Sequence, residues 1–155
     1  MPSDPSLLRE LLPRLTELSS SLNRGRLVER ALEASGLALE RPAITILGVL
    51  HLAGEPLRVG EIAHRMKVVG PHVTRQVHGL ESRGLVQRIA DPADQRARLI
   101  QLTADGTAAI ERYFGVVEGW FTDALSGWSA EDRRALGALL TRFTEDLTAR
   151  LSTLD

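Results

Sequence analysis

Val73-Thr74-Arg75-Gln76-Val77-His78-Gly79-Leu80-Glu81-Ser82-Arg83-Gly84-Leu85-Val86-Gln87-Arg88 is followed two residues later by Asp91-Pro92-Ala93-Asp94-Gln95-Arg96-Ala97-Arg98-Leu99-Ile100-Gln101-Leu102-Thr103. Val73, Val77 and Leu80 recur at the spacing of one helix face, which predicts an amphipathic helix. Gly84 stops that helix, because glycine accepts the left-handed conformation of a C-terminal cap at no steric cost. Leu85–Ile89 and Leu99–Leu102 read as paired strands, and Asp91-Pro92-Ala93-Asp94 between them is turn chemistry. Helix, glycine stop, strand, charged turn and strand make a helix-turn-helix with a β-wing, an arrangement that can put side chains into two DNA grooves.

Upstream of this stretch, Val59–Met66 predicts a short helix with Ile62, Ala63 and Met66 inward, and Val68-Val69-Gly70-Pro71 is the turn between the two helices. Pro71 fits a first helical position, where a missing N–H costs nothing. Residues 41–53 predict another helix, with Pro42 in its first turn and Ala43, Ile44, Leu47, Leu50 and Leu52 largely buried; Gly54-Glu55-Pro56 breaks it. Downstream, Thr103 or Thr103-Ala104-Asp105 caps a long helix to about Leu125, and Gly127 breaks it. Ser129-Ala130-Glu131-Asp132 is a variant capping box opening a last helix. Leu7, Leu8, Leu11, Leu12, Leu15, Leu18 and Leu22 predict one N-terminal helix over residues 6–33 with a narrow leucine stripe, and Gly36 ends it or the turn after it. The expected fold is mainly α with a small β-wing: a winged helix-turn-helix of about six helices.

The net charge of −1 conceals a division along the chain. Residues 1–40 sum to −1, residues 41–103 to +4 and residues 104–155 to −4, and the positive segment holds all four histidines. A basic centre between acidic flanks points to one nucleic-acid face. Absence of cysteine excludes disulfides, thiolate metal sites and thiol redox sensing in this chain. His51, His64, His72 and His78 show no zinc-type spacing, so no metal and no cofactor are expected. No nucleophile elbow, phosphate loop or dinucleotide glycine pattern is present, and no catalytic residue is assigned. No apolar run approaches the ~20 residues of a membrane span, and Met1-Pro2-Ser3-Asp4-Pro5 lacks the features of a secretion signal. A cytoplasmic, non-enzymatic protein without a membrane partner is the expectation.

All six aromatic residues lie between Tyr113 and Phe143, so the first 112 residues pack on aliphatic side chains. The first helix and the last two bear apolar stripes larger than a ~65-residue winged domain can cover, and a stripe needs something to bury it. Packing on one another is one solution; pairing with a second copy is the expected one. The organisation read from the chain is an N-terminal dimerisation helix (1–40), a winged helix-turn-helix domain (41–103) and C-terminal dimerisation helices (104–155).

Glu61-Ile62-Ala63, Val73-Thr74-Arg75-Gln76-Val77, Leu80-Glu81-Ser82-Arg83-Gly84-Leu85-Val86-Gln87-Arg88, and Asp94-Gln95-Arg96 with Leu102-Thr103 resemble the MarR (multiple antibiotic resistance regulator) family of winged-helix repressors. The resemblance covers roughly residues 40–106 at motif level, and the flanking helices agree in number and order. It implies an obligate homodimer with interlocked terminal helices, binding to a pseudo-palindromic stretch of double-stranded DNA as a transcription repressor, and release by a small aromatic or anionic effector. A winged-helix protein-interaction module without its own operator is the alternative.

On the helix, His72, Arg75, Gln76 and Gly79 are expected to point outward, with Thr74 near the boundary. Arg75 can donate two hydrogen bonds to guanine, and Gln76 can pair with adenine. Gly70, Pro71, His72 and Thr74 stand at the helix N-terminus, which suits phosphate. Arg96 can enter a narrow minor groove, Asp94 either pairs with it or fixes the turn, and Arg98 and Arg88 are phosphate contacts or exposed strand charges. Two positions depart from the family pattern: Val69 stands where a capping serine is common, and His72 where threonine or serine is. His72 brings the option of affinity that changes below about pH 6.5. By analogy, an effector pocket draws on Asn23, Arg24, Arg30, His51, Tyr113 and Trp120, the arginines holding a carboxylate or phenolate.

Overall fold

The structure is a computed structural model that describes residues 5–24 and 26–153. Among these, seven helices and one two-stranded sheet run in the order α1 (Pro5–Arg24), α2 (Leu27–Ala34), α3 (Arg41–Ala53), α4 (Val59–Met66), α5 (Gly70–Ser82), β1 (Val86–Ala90), β2 (Arg98–Leu102), α6 (Ala104–Ala124) and α7 (Ala130–Leu151). The winged helix-turn-helix expected from sequence is present. The chain forms two compact units, up to Val116 and from Val117 onward.

In the first unit, α3, α4 and α5 pack on one another, β2 against α3 and β1 against α5. Val73, Val77 and Leu80 of α5 are fully buried, as are Ile46 and Leu47 of α3, Ile62 of α4, Val86 and Ile100 of the wing, and Ile110 of α6. Each such aliphatic side chain stabilises the fold by roughly 1.5–3 kcal/mol through removal from water. The strands are antiparallel, with Val86 opposite Leu102 and Ala90 opposite Arg98. Leu57 adds a one-residue bridge to Ile100, with N···O distances of 3.0 and 2.8 Å. Gly84, at φ +70°, is the left-handed stop after α5. The Thr103 hydroxyl donates to Gly84 O (2.6 Å) and accepts from Gly106 N (3.0 Å), capping α6 as read from sequence. Gly106 is there because a Cβ would lie 1.9 Å from Leu85 O, so only glycine lets α6 approach the β1 entry this closely.

Several local readings change. The predicted helix 6–33 is two helices, because Arg26 is left-handed (φ 52°, ψ 42°), a conformation a continuous right-handed helix cannot contain. Leu52 is 79% exposed rather than buried, and Ile46 occupies the core instead. Met66 is half-buried. Gly70, not Pro71, is the first residue of α5; Pro71 follows in the same first turn, where its missing N–H is equally harmless. Leu8 of the predicted stripe lies outside the residues whose side chains are described.

The second unit contains the end of α6 and all of α7. The capping box forms as expected: Ser129 Oγ accepts from Asp132 N at 3.0 Å and donates to Asp132 Oδ2 at 2.6 Å. α7 buries none of its 22 residues. Leu136, Leu139, Leu140, Phe143, Leu147 and Leu151 are 37–64% exposed, and Trp120, Phe121 and Trp128 are exposed too.

Candidate nucleic-acid interface

Burial of Val73, Val77 and Leu80 fixes which way the rest of α5 points. Pro71, Thr74, Arg75, His78 and Gly79 are exposed, whereas Gly70, His72 and Gln76 are half-buried. The outward face therefore centres on Thr74, Arg75 and His78, and His72 and Gln76 flank it instead of leading it. His78 escaped the sequence reading although it lies three residues after Arg75 and four after Thr74, on the same face. Val59, Gly70, Pro71, Thr74, Arg75, His78 and Arg88 line one shallow open groove between α5, the start of α4 and β1.

The N-terminus of α5 has no side-chain cap: Val69 is its N-cap residue, in extended conformation. His72 N–H bonds to Val69 O (3.1 Å), and Thr74 Oγ1 donates to Gly70 O (3.2 Å). Arg75 Nη2 lies 3.4 Å from His72 Nδ1, a weak contact that leaves the guanidinium available for other partners. Arg88 of β1 pairs with Glu81 near the end of α5, with Nε 3.1 Å from Oε2.

The wing is built on two aspartates. Asp91 is the buried charged side chain among the described residues, 6% exposed. Its Oδ1 accepts from Ala93 N (2.8 Å), and its Oδ2 accepts from Arg58 Nε (2.8 Å) and Nη2 (2.5 Å). Those bonds hold the Asp91 carboxyl below the usual carboxylate range, the Ala93 amide first and Arg58 next, against an opposing desolvation effect. Arg58 is correspondingly raised by its hydrogen bond to Asp91. Asp94 Oδ1 accepts from the backbone N of Arg96 (3.0 Å), so of its two expected roles it fixes the turn. The Arg96 side chain is exposed at the loop tip and forms no ion pair among the described residues. Arg98 Nη1 turns back to Gln95 O at 3.3 Å.

Four of the six effector candidates, Asn23, Arg30, His51 and Tyr113, have described side chains in the first unit. His51 lines a cleft of about 270 Å³ with Leu50, Glu55, Gln101 and Thr107, and none of the other three lines it. His51 and Tyr113 both flank Phe114, at ring-centroid distances of 5.6 and 5.8 Å. Burial raises the Tyr113 hydroxyl pKa, which keeps it protonated. Asn23 and Arg30 are exposed on α1 and α2, with Asn23 Nδ2 3.5 Å from Ser19 Oγ. Trp120 is exposed in the second unit, and the side chain of Arg24 lies outside the described residues. No group of three or more potential metal-ligating side chains occurs among the described residues, and no described helix is long and apolar enough to cross a membrane.

An exposed basic and hydroxyl face on the second helix of a helix-turn-helix, with an arginine-tipped wing beside it, defines the class: a winged-helix DNA-binding transcription regulator. The MarR family model matches residues 39–97. The HTH-type transcriptional regulator PecS of Dickeya dadantii is 32% identical over 128 residues, covering 78% of this chain and 75% of PecS. A MarR family protein from Bacillus stearothermophilus superposes with a TM-score of 0.80 at 23% identity, covering 94% of this chain and 99% of that one. The F27L mutant of MepR from S. aureus, bound to an oligodeoxyribonucleotide, gives a TM-score of 0.56 at 22% identity, covering 92% and 96%. The chain belongs to the MarR family of transcriptional regulators.

Proposed function

We propose that this regulator is a homodimeric repressor that reads a pseudo-palindromic operator and lets go of it when a small aromatic or anionic effector binds. The observation that carries the reading is the exposed α5 face, where Thr74, Arg75 and His78 stand clear of a helix whose opposite side is locked into the core. In this reading Arg75 donates its two hydrogen bonds to guanine in the major groove, and Gln76 and His72 contact neighbouring bases from the flanks. Gly70, Pro71 and Thr74 approach phosphate at the helix N-terminus. Arg96 enters the adjoining minor groove, Asp94 shapes its loop, and Arg98 adds charge near the backbone.

The apolar stripe of α7, together with that of α1, is the proposed dimer contact, since a solvated stripe of this size is costly in a monomer. Two copies then present two recognition helices at the ~34 Å spacing of successive major grooves. Effector release is a change in that spacing, with the cleft beside His51 as the first place to look. Selection of binding sequences from random duplexes tests the reading. The expected winner is two inverted half-sites about one helical turn apart; recovery of unenriched sequence would contradict it.

A further inference from the structure

Among the described residues, one side-chain hydrogen-bonded pair joins the loop 91–97 to the rest of the unit. The loop's other side-chain hydrogen bonds run from Ala93 N to Asp91, from Arg96 N to Asp94, and from Arg98, the first residue of β2, back to Gln95 O. The exception is Arg58, which reaches Asp91 through both Nε and Nη2. Arg58 is itself well anchored. Its neighbour Leu57 is bridged to Ile100 in both directions, and its carbonyl accepts from Glu61 N (3.0 Å) and Ile62 N (3.1 Å), the first turn of α4. On the other side, Asp91 organises the loop: its N donates to Ala97 O, its O accepts from Asp94 N (both 3.3 Å), and its second carboxylate oxygen holds Ala93 N. Asp94 carries the chain of contacts on to the backbone of Arg96.

We infer that Arg58 and Asp91 are positioning residues of the wing: their charge-assisted pair sets the direction of the 91–97 loop from the start of α4, and so places Arg96 relative to the α5 face. The inference rests on the reading of Arg96 as a groove contact. The strands are held at their base by buried Val86 and Ile100 and by the Leu57 bridge, which leaves the surface loop beyond them its own freedom of direction. A guanidinium bonded through two nitrogens to one buried carboxylate removes that freedom, because such pairs are short and directional. Asp91 also stays ionised through neutral pH, since the Ala93 amide and Arg58 favour its charged form.

The test pairs amide hydrogen exchange on the free protein with a double-mutant cycle on DNA carrying A/T-rich flanks. Arg58→Met should speed exchange at Ala93, Asp94 and Ala97 while leaving the amides of α5 protected. On DNA, Arg96→Ala should lose about tenfold in affinity. Arg58→Met should lose about the same, and the double variant no more than either, because a misplaced Arg96 has nothing left to lose. Arg58→Met combined with Arg75→Ala should instead multiply the two losses. Asp91→Asn, which keeps an oxygen for Ala93 N–H while removing the charge, serves as the second variant where Arg58→Met folds poorly. Unchanged exchange in the wing would overturn the latch, whatever happens on DNA. Faster exchange with multiplied losses for Arg58 and Arg96 would overturn its positioning role. Undiminished binding by Arg96→Ala alone would overturn the groove contact and the latch's use there, while the exchange data would still register the latch itself.

Discussion

Helices α5 and α7 are written in the same code and end in opposite situations. α5 places Val73, Val77 and Leu80 on one side, and all three are almost completely out of water. α7 places six large apolar residues on one side and buries none of its length. Periodicity tells which face of a helix seeks cover; it does not tell whether the cover is in the same chain. α5 finds it in α3, α4 and β1, and the face left over becomes the candidate reader of DNA. For α7 we propose that the cover is a second copy, so one stripe builds a domain and the other an assembly.

The largest expected effect comes from deleting residues 129–155. That removal should convert a dimer into a monomer or insoluble protein and abolish tight operator binding, as light scattering and gel shift would show. A folded dimer lacking these residues would break the contrast between the two helices. Next comes a matched pair. Leu47→Ala, in the core, should cost about 2–5 kcal/mol of stability at any protein concentration. Leu140→Ala, on the exposed stripe, should lower Tm most in dilute solution, because its cost falls on association. Equal, concentration-independent losses would mean that α7 is covered within its own chain.

The face left over by α5 gives a smaller effect. Arg75→Ala should cost roughly 1–3 kcal/mol of binding and relax preference at one base position; unchanged specificity would make it a plain phosphate contact. The smallest effect concerns acid. The Asp91 carboxyl is lowered in the folded state, so its contribution to stability is present above the ordinary carboxylate pKa and fades as pH falls through the folded value. Asp91→Asn should therefore be less stable than wild type near neutrality, with the gap between the two melting curves narrowing as pH falls below the ordinary carboxylate pKa. A gap that persists undiminished in acid would mean that the charge on Asp91 is irrelevant to the wing.

The winged domain was legible because its signals are local. Gly84 announces the stop after α5 and Asp91 and Pro92 the turn, each through bonds to residues close in sequence, and beyond the domain Ser129 marks the start of α7 in the same way. α3 and α4 match their expected boundaries for the same reason. Two kinds of feature stayed hidden. One is single-residue backbone geometry: nothing in Arg26 itself announces a left-handed residue, so α1 and α2 read as one helix. The other is contact across the chain. Arg58 and Asp91 are 33 residues apart, and Gly106 owes its identity to a carbonyl at Leu85; no spacing rule reaches that far. His78 was readable in principle, since helical spacing from Arg75 places it on the outward face. The effector candidates were drawn by analogy alone; among those described in the first unit, His51 and Tyr113 share Phe114 as a neighbour.

The most direct test of the central claim is binding of the purified protein to the intergenic DNA upstream of its own gene, followed across a salt series with unrelated DNA as competitor. The account predicts a discrete complex of two chains on one inverted repeat, resistant to competitor and weakening steeply as salt rises. Binding no tighter than to the competitor, at every upstream and selected sequence tried, would contradict it.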